Sequence, residues 1–283
     1  MTTSLTLFAV GLRGLIYHAV ATDFALLKDV KADVRAARVS IITSLAEHIE
    51  LREAISPIVP ILVEQLKHEL VSVRSAASHA LIKLAEHVEL RGSIIRVIPL
   101  FFDLLKDANL DIRSATAFTV NKLADHSEFR DAICLVIASL VNLLSHGSWV
   151  VRSATSSSLV KLAENDGLRE SVSSAFPFLL GLLGDRDANV RSATVAALVK
   201  FTEYRDLRET TRPIIPLLVQ LLRDTNPDVR ATAVFAVARL AGDIELLESM
   251  RPIIPSLVNL LADDDRNVRS EVIAAIAKLF ENG

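Results

Sequence analysis

The sequence predicts an all-α fold, a right-handed α-solenoid in which helix pairs stack into one superhelix. Three observations predict it. A Val-Arg or Ile-Arg pair recurs with its arginine at 35, 74, 113, 152, 191, 230 and 269, a step of 39 residues each time and with no insertion. A constant period of roughly 20–50 residues is the mark of a repeat array. Each period also holds two apolar stretches of helical length joined by short polar turns, with no strand-like alternation. Finally, hydrophobic residues make up 51% of the 283-residue chain, more than isolated amphipathic helices need, much of it Ala, Val, Leu and Ile. Such a composition suits helices buried between neighbours.

One period, taken in order, justifies each element. Residues 213–224, PIIPLLVQLLRD, are apolar on most faces and read as a buried first helix. Pro213 suits the first turn, where its missing N–H costs nothing. Pro216 lies further in and is expected to bend the helix entry. It recurs as Pro60, Pro99, Pro177 and Pro255, with Ala138 interrupting the series. Residues 225–228, TNPD, form a turn. Residues 229–243, VRATAVFAVARLAGD, read as the second helix. Its N-cap is expected at Asp33, Ser72, Asp111, Val150, Asn189, Asp228 and Asn267, all but Val150 able to accept from an orphan N–H. Residues 244–250, IELLESM, read as a short third helix or turn.

The chain is therefore read as a single solenoid domain over 1–283. It opens with a partial repeat at 1–33 and continues with full repeats at 34–72, 73–111, 112–150, 151–189, 190–228 and 229–267. A partial repeat at 268–283 closes it. The apolar stretch SLTLFAVGL (4–12) resembles a weak secretory leader. No Lys or Arg precedes it, however, and GLRGLI (11–16) aligns with ELRGSI (89–94) in the repeat register, so it is read as part of the leading repeat.

The repeating arginine stands where the positive end of a helix dipole disfavours a cation. A partner is expected to offset that cost. Six residues before each arginine come Asp29, His68, Asp107, His146, Asp185, Asp224 and Asp263. A planar guanidinium can serve two acceptors at once. Arg35, Arg74, Arg113, Arg152, Arg191, Arg230 and Arg269 are thus expected to pair with Asp29, Asp107, Asp185, Asp224 and Asp263, in their own repeat or the next. His68 and His146 should leave weak points.

The stretch IIPLLVQLLRDTNPDVRATAVFAVARLA (214–241) resembles the HEAT repeat, and IPSLVNLLADDD (254–265) is similar to the armadillo repeat. The resemblance covers about residues 11–281. It implies that the second helices line a concave face, and that the function is that of a scaffold or peptide-binding protein; a few such proteins are enzymes. On that face, nine residues after the arginine come Ser44, Lys83, Lys122, Lys161, Lys200, Arg239 and Lys278. Twelve after come Glu47, Glu86, Asp125, Glu164, Glu203, Gly242 and Glu281. Armadillo peptide binders carry Asn in the first of these rows and Trp five after the arginine. Here those positions hold cations and mostly small residues, which argues against recognition of a basic peptide.

Two readings of the basic row follow. In one, Lys83, Lys122, Lys161, Lys200, Arg239 and Lys278 bind an extended acidic protein or peptide segment. In the other, they pair with the acidic row three residues on as a solvated face, and the chain is a structural spacer within a larger protein. His79, Phe118 and Phe235 fall five after the arginine. The phenylalanines are expected first to pack between repeats, and to act as partner contacts where exposed. A third reading is a HEAT-like enzyme or lyase with a small-molecule pocket near His79, Phe118 and Phe235.

Other chemistry finds little support. No Gly-rich phosphate loop, nucleophile elbow or zinc spacing occurs, so no catalytic residue, metal or cofactor is assigned. Glu47-His48, Glu86-His87 and Asp125-His126 superficially resemble the iron-binding His-Glu pairs of HEAT-like hydroxylases, in reversed order. A net charge of −3 gives no global field for nucleic acid. No run reaches the roughly 18 apolar residues of a membrane span. Cys134 is the single cysteine and is read as an inert, partly buried thiol. Trp149 is expected to pack against a neighbouring turn. Both ends lead with apolar residues, which points to self-association or to burial in a larger protein. A cytoplasmic location is expected, with the nucleus as the alternative.

Overall fold

The computed structural model describes residues 41–207, 213–242 and 250–282. The leading partial repeat with Asp29 and Asp33, the start of the next repeat with Arg35, and nearly all of the short segment at 244–250 lie outside the described residues, as does the Glu281 side chain. The described residues are helices and turns with no strand among them. They form an all-α solenoid of helix pairs. The chain divides into two compact units, Met1–Val136 and Ile137–Gly283.

In the first unit the first helices are α1 (Val59–Gln65) and α3 (Val88–Leu105), and the second helices are α2 (Val71–Ala85) and α4 (Leu110–Ala124). Helix α1 packs on α3, α2 packs on α4, and each first helix packs on its own second helix, which gives two layers. The division between the units falls within α5 (Ser127–Leu143). The second unit continues with α6 (Trp149–Leu162), α7 (Asp166–Ser173), α8 (Phe176–Leu182), α9 (Ala188–Thr202), α10 (Ile214–Leu221), α11 (Pro227–Leu240), α12 (Ile254–Leu260) and α13 (Arg266–Asn282). Helices α6, α9, α11 and α13 stack in sequence as one layer, and α8, α10 and α12 pack on α9, α11 and α13 respectively.

The prolines start helices rather than bend them. Pro177 and Pro216 lie in the first turns of α8 and α10, where the backbone N–H has no partner to lose. The pairs Pro57/Pro60 and Pro252/Pro255 break the chain into a 3₁₀ turn, Ser56–Ile58 or Arg251–Ile253, followed at once by an α-helix. Pro99 alone sits inside a helix. Where the prolines thin out, the short third helix merges with the next first helix, and α3 and α5 run unbroken for 18 and 17 residues.

The second helices also begin earlier than expected. Their N-caps are Leu70, Asn109, Ser148, Asp187 and Asn226, two residues before the positions read from the sequence. Asn226 Oδ1 accepts from the N–H groups of Asp228 and Val229 at 2.8 and 3.3 Å. Asp187 and Asp265 cap in the same way. A short acceptor side chain reaches the N–H two and three residues on, so the acceptor belongs before the helix rather than in it.

The core is aliphatic, with Phe101, Phe129, Phe176 and Phe201 fully buried. The rings of Phe176 on α8 and Phe201 on α9 lie 5.1 Å apart. A small-residue row three after Arg74, Arg113, Arg152, Arg191 and Arg230, namely Ala77, Thr116, Thr155, Thr194 and Ala233, is buried and lets successive second helices approach. Thr116 and Thr155 turn their hydroxyls back to the carbonyls four residues earlier, both at 2.7 Å. Between α2 and α4 the buried hydroxyls of Ser78 and Thr119 meet at 2.7 Å.

Candidate functional site

The recurring arginines are the most fully determined side chains of the fold. In the second unit, Arg152, Arg191 and Arg230 each send Nε and Nη2 to the two oxygens of one carboxylate, that of Asp185, Asp224 and Asp263, at 2.7–2.8 Å. The aspartate always follows the first helix of the next helix pair, 33 residues on. The third donor, Nη1, goes to the backbone of the turn just before the arginine's own helix: His146 O at 2.8 Å, Asp185 O at 2.7 Å and Asp224 O at 2.9 Å. Those carbonyls lie in the turn that ends the preceding first helix, where partial negative charge gathers. Each arginine therefore stabilises the end of one helix while sitting at the start of another.

Each aspartate has a second task. Asp185, Asp224 and Asp263 accept from the backbone N–H of Asp187, Asn226 and Asp265 at 2.8–2.9 Å. Burial works to raise the pKa of Asp185 and Asp224, but hydrogen bonds from Arg152 or Arg191 and from the backbone outweigh it and the net shift is down. At Asp263 the Arg230 hydrogen bond dominates and again lowers the pKa. Histidine keeps half of the aspartate's role: His68 and His146 Nδ1 accept from Leu70 and Ser148 N–H at 3.0 and 3.1 Å. Neutral imidazole cannot take the arginine fork.

In the first unit the ladder is looser. Arg113 Nη1 binds the carbonyls of Asp107 and Ala108 at 2.7 and 2.9 Å, while its Nε is buried without a partner and desolvation lowers its pKa. Asp107, expected to take an arginine fork, caps the N–H of Asn109 instead. Arg74 reaches Asp111 rather than Asp107. In the second unit Arg269 binds the carbonyls of Asp263 and Asp264.

A second ladder escaped the sequence reading. Arg52, Arg91, Arg130 and Arg169 each donate Nε to the carbonyl six residues earlier, on Ala46, Ala85, Ala124 and Ala163, at 2.9–3.0 Å. Arg52, Arg91 and Arg169 also reach acids 37 residues on, Glu89, Glu128 and Asp206. The signal was present as a Leu-Arg or Phe-Arg pair at the same 39-residue step.

On the face of the second helices the basic row is exposed, or half-exposed at Lys200. Lys83, Lys122 and Lys161 bond Glu86, Asp125 and Glu164 at 2.9, 3.4 and 3.0 Å. Glu203 is shared between Lys200 and Arg239, and the Lys200 hydrogen bond is the main cause of its lowered pKa. Lys278 is exposed on α13. Exposed pairs of this kind contribute about 0–1 kcal/mol and exchange partners readily.

Phe118 and Phe235 are not buried between repeats: they are 55% and 48% exposed. Trp149 opens α6 at 45% exposure and is likewise not buried against a turn. His79 and Phe118 meet in one partly open pocket of about 580 Å³ between α2 and α4, with Arg74, Ser75, Ile82, Ser114 and Lys122. Phe235 lies on α11 in the other unit and has no part in it. Among the described residues no group of three or more His, Cys, Asp or Glu could hold a metal ion. Cys134 is half-buried. No described helix is long and apolar enough to cross a membrane.

The family model for the sister chromatid cohesion protein PDS5 matches residues 51–283. No curated protein matches the chain. Among solved structures, a designed armadillo repeat protein in complex with the peptide (KR)4 is 21% identical, with 78% of this chain and 99% of that chain covered and a TM-score of 0.50. An engineered protein of similar fold is also 21% identical, with 79% and 98% covered and a TM-score of 0.50. Both likenesses concern the fold alone.

Proposed function

We propose, from the premise that the chain belongs to the sister chromatid cohesion protein PDS5 family, that it is a non-enzymatic scaffold binding an extended, acidic protein segment along the face of its second helices. The observation that carries this is the exposure of Phe118 and Phe235 on the same helical face as the periodic row of cations. Aromatic and arginine side chains are enriched at binding hot spots. Within each unit the 39-residue register brings chemically similar positions in succession along the second helices, as an extended partner segment would need.

The family's name ties it to sister chromatid cohesion. A chromosomal assembly is therefore the place to seek the partner, and the nucleus, the alternative left open by the sequence, becomes the favoured location. The net charge of −3 still argues for a protein rather than a nucleic acid as the direct contact.

The test is fluorescence anisotropy with short labelled peptides alternating Glu and Leu, Gln and Leu, or Lys and Leu. The native chain is expected to bind the acidic peptide best, with salt weakening it. The Lys122→Glu/Lys161→Glu/Lys200→Glu variant, whose changes are at exposed or half-exposed sites, should lose that binding while keeping its helical circular dichroism. Equal binding of all three peptides would defeat the reading. A specific observation also favours the spacer reading: five members of the basic row have acidic neighbours in bonding range. Absence of any peptide binding would leave that alternative standing.

A further inference from the structure

Arg74 is a ladder arginine whose fork stays open. In the second unit Arg152, Arg191 and Arg230 each give Nε and Nη2 to a single carboxylate. Arg74 spends Nη1 on the carbonyls of His68 and Glu69 at 2.7 and 2.8 Å, touches Asp111 Oδ2 through Nη2 at 3.3 Å, and makes no hydrogen bond through Nε. Asp107, at the position that would close the fork, is turned to the Asn109 N–H. The Arg74 side chain retains only 4% exposure, so this is a nearly buried cation whose carboxylate contact is a single one of 3.3 Å to Asp111. Such a group favours an anion strongly, because its charge is poorly solvated.

The guanidinium lines the pocket of about 580 Å³ between α2 and α4. The surroundings have two characters. Ser75 and Ser114 bring hydroxyls, while Ile82 and Phe118 bring apolar surface. Asp111 shields the arginine weakly, at 3.3 Å and with its carboxylate 68% exposed. An exposed carboxylate at that distance can swing into water when a better-placed anion arrives.

We propose that this pocket anchors one acidic side chain of an extended peptide, its anionic oxygens on the Arg74 fork and an apolar neighbouring residue against Ile82 and Phe118. The anion completes the ladder as Asp185, Asp224 and Asp263 complete it elsewhere. This inference rests on the proposed reading of the second-helix face and adds to it the position of an anchor. A carboxylate and a phosphate share the required chemistry.

The test uses the full chain and titrates the Glu-Leu peptide, the same peptide with phosphoserine in place of glutamate, and the Gln-Leu peptide. Three variants accompany it: Phe118→Ala, which removes an exposed wall; Asp111→Asn, which removes the competing anion; and Arg74→Gln. The expected result is binding of the anionic peptides only. It should weaken about tenfold or more in Phe118→Ala, the loss typical of a hot-spot aromatic, and tighten in Asp111→Asn. These two variants keep the proposal falsifiable should Arg74→Gln fail to fold. Tighter binding of the phosphoserine peptide would make phosphate the source, and of the glutamate peptide a carboxylate. Acidic-peptide binding that ignores Phe118→Ala and Asp111→Asn but is lost in Lys161→Glu/Lys200→Glu overturns the pocket while the broader face survives. Failure of any acidic peptide to bind overturns both.

Discussion

Arg191 grips Asp224 with two hydrogen bonds of 2.7 Å, one to each carboxylate oxygen, and the pair keeps only 13% and 10% of its side-chain exposure. The same arginine donates to Asp185 O, and the same aspartate accepts from Asn226 N–H, so four elements of two repeats meet at one ion pair. Removing one partner of a pair this buried strands the other's charge. Asp224→Ala and Arg191→Ala should each lower unfolding free energy by about 3–5 kcal/mol. Arg191→Lys should recover little of it, since an ammonium cannot match both oxygens. Urea denaturation followed by circular dichroism measures all three. A loss no larger than that of an exposed ion pair would show that the ladder does not hold the repeats together.

Acid should dissolve the ladder. The pKa values of Asp185, Asp224 and Asp263 lie below the ordinary aspartate value in the folded chain. The unfolded chain therefore takes up protons first as pH falls. The stability these groups contribute is complete above the unfolded value, about 3.9, and drains away as pH drops through their lower folded values. Urea midpoints measured at neutral pH and at steps below about pH 4 should fall. The fall should be shallower in Asp224→Asn, where one titrating group is gone. An equal slope in that variant would assign the acid sensitivity to other carboxylates.

The fold was legible because its cause is periodic. Apolar residues, turn residues and arginines all repeat in one register, so each repeat corroborates the others. The ion-pair direction was only half legible: a spacing of minus six and one of plus 33 identify the same aspartate series, and packing alone chooses the repeat in which it binds. The exposure of Phe118 and Phe235 was not legible for a related reason: the pattern places them on a helix face, and only packing sets how much of each ring stays in solvent. The open fork of Arg74 had no sequence signal, since Asp107 is present and merely turned elsewhere. The second arginine ladder does have a sequence signal, the Leu-Arg or Phe-Arg pair repeated at the same 39-residue step.

That second ladder divides its work unequally. Arg91 Nε donates to Ala85 O, at the end of α2, and Nη1 reaches Glu128. The arginine is 16% exposed and the glutamate 49%. Arg91→Ala leaves a helix-end carbonyl without its donor and should cost about 1–3 kcal/mol. Glu128→Ala leaves the Arg91 cap in place and should change the thermal midpoint little. Equal losses in both variants would mean that the inter-repeat pair, rather than the helix cap, is what the arginine supplies.

The N-cap of α11 separates two adjacent candidates. Asp228 looks like the cap in the sequence, yet Asn226 is the residue whose side chain accepts from Asp228 and Val229 N–H. Asp228 lies inside the first turn, exposed, and its own carbonyl accepts from Thr232 Oγ1. A carboxylate there still favours the helix dipole, but only by about 0.3–1 kcal/mol and less in salt. The lost cap should cost more: Asn226→Ala about 1 kcal/mol, up to about 2, and independent of salt. Asp228→Ala should show a smaller loss that fades as salt is added, because screening weakens an exposed charge and leaves a neutral hydrogen bond alone. Thermal midpoints of the two variants at low and high salt decide the matter. If Asp228→Ala proves the costlier change at both salt concentrations, the helix begins where the sequence pattern, and not the structure, puts it.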